Sequence, residues 1–161
     1  MHTDPSSLVI RRAGASDFLA VAALDRVGWR RNRFPDFIPD GEHVWRVWCE
    51  HALTFVACEG ENVVGVILAF PCVNGSYCLH KVIVDEAFRG RGIASQLFEV
   101  LLREVDAMGV DVFLTVDPAN EKALRLYARW GFTDRTFVKG FYREEEDRFV
   151  LVRPSREQTK G

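Results

Sequence analysis

The stretch from Arg89 to Gly109 constrains the fold more than any other part of the chain. From Ile93 on, Leu97, Phe98, Leu101, Leu102, Val105 and Met108 recur at spacings of three and four, which predicts a helix with one apolar stripe, and Gly109 supplies its stop. Directly before it stands Arg89-Gly90-Arg91-Gly92-Ile93-Ala94, and before that the β-rich run Tyr77 to Val84. A strand, a glycine-rich turn and a long helix thus follow one another. The first turn of a helix leaves its N–H groups without intrahelical partners and carries roughly half a positive charge. The predicted product is a concave anion site that suits a pyrophosphate. Gly90 and Gly92 permit the positive φ values and close approach that a Cβ would hinder.

Two nucleotide readings of this turn fit less well. A Walker A loop needs Gly-Lys-Ser/Thr, and none follows. A dinucleotide fingerprint can use Gly90 and Gly92, but Ser95 stands where the third small residue belongs, and the preceding strands read as a meander rather than a βαβ start. A dinucleotide-binding oxidoreductase stays a rival on the residues alone, as does a catalytically silent binding module.

The rest of the chain supplies the sheet. Leu8 to Arg11 reads as a first strand, and Ser16-Asp17 offers an N-cap for a helix with Phe18, Val21, Ala22 and Leu24 on its apolar side. Asn32 to Pro39 reads as loop, after which Asp40 is expected to cap a helix carrying Val44, Trp45 and Trp48. Thr54–Glu59 and Val63–Phe70 flank Gly60-Glu61-Asn62 and are expected to pair antiparallel, with a further turn at Asn74-Gly75 before Tyr77. Val112 to Val116 follows as a strand, Asn120 to Trp130 as a short helix closed by Gly131, and Phe132–Val138 and Phe149–Val152 as two last strands. The expectation is a single domain over residues 1–161, of α/β (α+β) class, with a central mixed, mostly antiparallel sheet flanked by helices.

Composition narrows the partners. A formal net charge of −2 gives no global basic field, so binding nucleic acid through phosphate neutralisation is not expected. Arg26, Arg30, Arg31 and Arg33 cluster, but Asp25 and Asp36 flank them, as on a solvated surface. Cys49, Cys58, Cys72 and Cys78 form no C-x-x-C pair, and His43, His51 and His80 lack ligand spacing, so reduced thiols and no metal site are expected. The polar start from Met1 to Ser7 does not read as a signal peptide, and no run reaches about 18 apolar residues. A cytoplasmic protein without membrane association is the expectation.

The turn and its context resemble the acetyl-CoA motif of the GNAT N-acetyltransferase superfamily, written Q/R-x-x-G-x-G/A and matched by Arg89, Gly92 and Ala94. Val82-Ile83-Val84 resembles the strand ending that precedes the motif, and Asn120, Tyr127 and Gly131-Phe132 resemble the later Asn, Tyr and Gly-Phe. The resemblance implies acetyl-CoA as cosubstrate and an amine-bearing acceptor, with a homodimer left open. It further implies that the strand of Val82, Ile83 and Val84 splays from its neighbour to admit the pantetheine arm, with a backbone N–H near Val82 as the oxyanion donor. Arg89, Gly90, Arg91, Gly92, Ile93 and Ala94 would hold the phosphates, and Asn120 the pantetheine arm while capping its helix. Tyr127 inherits the role of the acid that protonates the departing thiolate.

The base is less plain. Bacterial ribosomal-protein N-acetyltransferases carry a glutamate where Thr115 stands here. In arylalkylamine N-acetyltransferases a histidine occupies the strand position matching His80, beside an Ala-Phe-Arg like Ala87-Phe88-Arg89, which makes His80 the expected base. The run Glu144-Glu145-Glu146-Asp147 reads either as a solvated turn or as an attractor for a cationic amine.

Overall fold

The computed structural model describes residues 8–31 and 40–156. Seven strands, β1 (Leu8–Arg12), β2 (Leu53–Glu59), β3 (Asn62–Pro71), β4 (Tyr77–Val84), β5 (Val112–Val116), β6 (Asp134–Val138) and β7 (Arg148–Arg153), form one sheet in the order β1-β2-β3-β4-β5-β7-β6. β1–β2, β2–β3, β5–β7 and β6–β7 pair antiparallel, and β4–β5 pairs parallel. The helices are α1 (Phe18–Trp29), α2 (Glu42–His51), α3 (Ile93–Met108) and α4 (Glu121–Arg129). The mixed, mostly antiparallel sheet and the α3 boundaries are as the sequence predicts. The chain divides into two compact units, one running to Phe70 and including Lys81–Leu101, the other comprising Pro71–His80 and the chain from Leu102 on.

In the first unit, β2 and β3 are covered on both faces, which explains their nearly unbroken apolar sequences. Val56, Cys58, Val66 and Leu68 join Trp45, Cys49, Val21 and Ala22 in one cluster with α1 and α2. On the other face, a Cβ added to Gly65 would lie 3.2 Å from Ile93 Cγ2 and 3.3 Å from Leu97 Cδ1, so glycine lets α3 approach β3. Ile93, Leu97, Phe98 and Leu101 are buried, and burying each such side chain stabilises by roughly 1.5–3 kcal/mol. The register pairs Ala57 with Gly65 but Cys58 with Val63, which leaves Val64 as the extra residue of a β-bulge. The Val64 carbonyl accepts the Asp85 N–H at 2.8 Å and fixes the chain just after β4.

One expected cap keeps its position without the capping bond, and another is replaced. Asp17 precedes α1 but makes no cap bond to it; its carboxylate accepts the Gly14 N–H at 2.7 Å and both guanidinium nitrogens of Arg11 at 2.8 and 2.9 Å. Ser16 lies within a 3-10 turn rather than at the helix boundary. Gly41, not Asp40, is the N-cap of α2, because Asp40 is drawn to Lys81. The loop expected at Asn32 to Pro39 lies outside the described residues.

In the second unit, Tyr77 and Cys78 pair with Val112 and Phe113, and the ladder ends there, before His80 and Thr115. Val112, Leu114, Val116 and Leu151 are buried while Phe113 and Thr115 turn to the less covered face. Arg153 is buried and binds Asp106 through both amino groups at 2.6 and 3.1 Å and the Trp130 carbonyl through Nε at 3.0 Å, joining β7 to the ends of α3 and α4. The last strands differ from expectation at their ends. β6 begins at Asp134, because Phe132 is buried edge-on to Tyr127 and its N–H closes α4 on the Tyr127 carbonyl.

Candidate active site

The phosphate loop is built within the first unit. Asp85 accepts the Ala87 N–H at 3.0 Å and starts a 3-10 turn over Glu86–Phe88. Gly90 and Gly92 then adopt φ of +79° and +74°, the left-handed conformations anticipated from sequence, with open space where a Cβ would project. The first α3 bond runs from Gln96 N–H to the Gly92 carbonyl. By helix geometry the N–H groups of Ile93, Ala94 and Ser95 have no intrahelical acceptor. Arg89, Gly90, Arg91 and Gly92 are exposed around this end. The unfilled cradle, its outward N–H groups and the positive helix end fit the pyrophosphate of CoA. Arg91 lies 4.9 Å over the Phe88 ring and 3.8 Å from Glu59, and Arg89 is exposed near the Glu86 carboxylate.

Behind β4 stands a buried ionic cluster that the sequence did not announce. Val82, Ile83 and Val84 are partly buried. Strand alternation sends Lys81 and Ile83 to the face opposite His80, Val82 and Val84. Lys81 Nζ reaches Asp25 Oδ1 at 2.9 Å and Asp40 Oδ2 at 3.3 Å, and sits 4.9 Å over the Trp29 ring. Trp45 Nε1 donates to the second Asp25 oxygen at 2.9 Å. One position on, Gly28 of α1 packs so near that an added Cβ would meet Ile83 Cγ2 at 3.4 Å. Arg31 then pairs with Glu86 at the start of the phosphate loop. The end of α1 therefore runs along the chain from Lys81 through β4 to Glu86 and holds that strand from behind.

The second unit carries the other predicted residues. Asn120 is the N-cap of α4, its Oδ1 accepting the Ala123 N–H at 3.1 Å. Tyr127 projects from α4 with its ring 5.8 Å from Phe132, and desolvation raises its phenol pKa, which keeps the proton on at neutral pH. His80 lies partly buried on β4 just beyond the ladder with β5. Cys49, Cys58, Cys72 and Cys78 form no disulfide.

The acidic run is largely structural. Glu146 is buried and pairs with Arg143 and, at 3.3 Å, with the buried Arg148, while Asp147 accepts the Gly140 N–H at 2.8 Å. Only Glu144 and Glu145 are exposed within it. What this connection presents is Tyr142, whose hydroxyl lies 2.8 Å from Thr115 Oγ1. Sequence reasoning passed over Tyr142; its only signal was its place between two strand ends beside the acidic run.

Comparison with known proteins gives the family. Residues 21–132 match the model of the acetyltransferase (GNAT) family. The N-alpha-acetyltransferase of Saccharolobus solfataricus is 27% identical over 113 residues, covering 62% of this chain and 68% of its own length. The ribosomal-protein-bS18-alanine N-acetyltransferase of Salmonella typhimurium is 27% identical over 121 residues, covering 66% of this chain and 80% of its own. Among solved structures, the NatC complex bound to Gag peptide and CoA shares the fold, with a TM-score of 0.73 at 23% identity over 93% of this chain and 99% of that one. The family match takes in well over half of the sequence and the whole phosphate loop, and the chain belongs to the GNAT family, as an acetyl-CoA-dependent N-acetyltransferase.

Proposed function

We propose that the acceptor is the α-amine of a protein or peptide N-terminus, and that the chain works as one acetyltransferase domain. The observation that carries the acceptor class is Thr115, whose hydroxyl is engaged with Tyr142 and which supplies no carboxylate base. An α-amine, with a pKa of roughly 7.7–8.0, costs only about 1 kcal/mol to deprotonate at pH 7, against roughly 4–5 kcal/mol for a lysine side chain. An α-amine is thus the acceptor that asks least of a site without the β5 glutamate that the ribosomal-protein enzymes carry. The names of the archaeal and bacterial relatives, an N-alpha-acetyltransferase and a ribosomal-protein alanine N-acetyltransferase, support the same class.

In this reading the Arg89–Ala94 loop binds the pyrophosphate, the backbone of Val82–Val84 holds the pantetheine arm and polarises the acetyl carbonyl, and Asn120 assists while capping α4. Acetyl-CoA supplies an activated thioester. Tyr127 keeps its phenolic proton for the departing sulfur, and His80 accepts the proton from the amine, directly or through water. The reading extends to a cytoplasmic enzyme whose partner is the amine-bearing acceptor, and leaves homodimerisation to be measured. No helix among the described residues is long and apolar enough to cross a membrane.

The test is CoA release with a panel of Ala-, Ser- and Met-initiated peptides beside their N-terminally blocked, lysine-containing counterparts. Free N-termini are expected to be turned over and blocked peptides not. Turnover confined to lysine side chains or small diamines would overturn the acceptor class.

A further inference from the structure

Among the described residues, β6 is the last strand of the sheet, with β7 as its one neighbour, and Asp134, Arg135, Thr136 and Phe137 are all exposed. Every second residue of an antiparallel strand turns its N–H and C=O away from the partner, so β6 presents a row of such groups on its outer side. Edge strands are ordinarily kept from pairing by proline, a bulge or outward charges, lysine above all. β6 contains no proline or lysine, and its register with β7 runs unbroken from Asp134 and Val152 to Val138 and Arg148. Its arginine is laid back along the sheet, with the Arg135 guanidinium 4.8 Å over the Phe149 ring. Thr136, Phe137 and Val138 are residue types that favour strands. Exposed aromatic surface collects at the same edge. Among the described residues the exposed aromatic side chains are Phe137, Phe141 and Tyr142, between 39% and 53% exposed, on β6 or just after it. Aromatic and arginine side chains are the types enriched where proteins meet.

The charges of β6 select what this edge fits. Two copies related by a two-fold axis perpendicular to the sheet keep each side chain on its own face, so an antiparallel β6–β6 pair must be centred on a residue. Centred on Asp134 or on Arg135, the pair sets like charges opposite each other, and centred on Phe137 it sets Arg135 opposite the partner's Lys139, which is destabilising in each case. Centred on Val138, it runs off the strand into Gly140, which turns at φ +60°. Centred on Thr136, every residue of the strand finds a complementary neighbour. Arg135 then faces the partner's Phe137, Asp134 faces the partner's Val138, and Thr136 faces its own copy. Phe137 already packs edge-on to Phe149 at 5.7 Å, so the partner's guanidinium would extend an existing row of rings and cations on that face.

We propose that β6 is a self-association edge: it pairs antiparallel with β6 of a second copy of this chain about a two-fold axis at Thr136, with Arg135 of each copy against Phe137 of the other. The sheet then continues from one copy into the next. Five strand residues a side make a small interface, so the association is reversible and follows concentration. The inference stands apart from the choice of acceptor and is tested without turnover.

The experiment is sedimentation of the full chain from low micromolar to submillimolar concentration, the range in which small interfaces associate. The weight-average mass of the wild type is expected to climb from that of the monomer towards twice that value. Arg135→Glu and Phe137→Lys should each raise the dissociation constant roughly 2–30-fold, because each substitution alters two cross-strand pairs at once. The Arg135→Glu/Phe137→Lys double variant sets opposite charges across the two-fold axis and should recover association, which only the register centred on Thr136 predicts. Both side chains are exposed, so the melting temperatures of the monomers should stay close to wild type. A second readout leaves the charges alone. Under oxidised glutathione, Thr136→Cys should form a reducible cross-linked dimer, while wild type, Asp134→Cys and Val138→Cys should not. A wild type that stays monomeric over the whole range would overturn the inference and leave the edge to another partner. Association that Arg135→Glu and Phe137→Lys both leave unchanged would place the interface elsewhere and overturn it as well. A double variant weaker than either single, or cross-linking at position 134 or 138 in place of 136, would overturn the register.

Discussion

Replacing Lys81 by methionine isolates the cluster behind the cofactor strand. The side chain is similar in length and apolar, but the substitution removes the ammonium that two carboxylates share. Lys81 is 10% exposed at its side chain, and Asp25 and Asp40 are each 7% exposed, so neither carboxylate can turn to water without repacking. Removing one partner from a buried ion pair costs about 3–5 kcal/mol, mostly because the remaining charge stays buried. Here two carboxylates lose the ammonium they share, and the Trp45 indole N–H, 2.9 Å from Asp25, still reaches one of them. For a chain of this size about 2–4 °C of melting temperature corresponds to each kcal/mol, so the expected fall is roughly 6–20 °C. The assay is urea unfolding with thermal melting between pH 4 and 8. The Lys81→Met/Asp25→Asn double variant should be more stable than Lys81→Met alone, because a neutral amide still accepts from Trp45 and removes one charge. A variant within about 1 kcal/mol of wild type, or a double variant that is simply worse, would refute the reasoning and show Lys81 to be a packing residue.

Three further outcomes test other parts of the molecule. Acetyl-CoA at one hundred times its Kd should stabilise the wild type by about 2.7 kcal/mol, and Gly92→Val, which forces a β-branched residue to φ +74°, should abolish that stabilisation in a folded protein; an undiminished shift would remove the phosphate loop assignment. Tyr127→Phe should lower kcat roughly 10²–10⁴-fold with little change in acetyl-CoA affinity, and full turnover with chemistry rate-limiting would contradict an acid role. Asp17, whose pKa is held below its ordinary 3.8 by hydrogen bonds from Arg11 and the Gly14 N–H, contributes stability that is present above that value and lost as pH falls through the depressed one. Asp17→Asn should therefore flatten the stability slope below about pH 4, and an unchanged slope would assign acid unfolding to other carboxylates.

The parts of the fold that could be read from sequence are those where local pattern and tertiary role coincide. The α3 stripe repeats at helical spacing because one face alone meets the sheet, and Gly90 and Gly92 are glycines because the turn requires positive φ at both. The hairpin at Gly60 and the close of α4 at Gly131 were legible for the same reason. Asn120 was legible because its capping bond reaches only three residues along the chain. Asp17 stands at the N-cap of α1 as expected but spends its carboxylate on Arg11 and the Gly14 N–H, whereas the cap expected at Asp40 falls to Gly41 and Asp40 pairs with Lys81.

The acidic run shows the same limit at the site itself. Four consecutive acids read as solvated because residue type reports charge but not the direction of each side chain, and in a tight connection successive residues point different ways. Glu146 turns inward to Arg143 and Arg148, Asp147 turns back to Gly140, and the product of these contacts is the placement of Tyr142 on Thr115. Lys81 was missed for a related reason. A lysine within Tyr77–Val84 looks like an exposed position on an alternating strand, and only the arrival of Asp25 and Asp40 from sequence separations of roughly 40 to 56 residues makes it internal. The phosphate loop is short-range and therefore visible in one sequence. The groups that hold β4 from behind are assembled from distant segments, and those around Tyr142 depend on side-chain direction, so both appear only when side-chain partners are known.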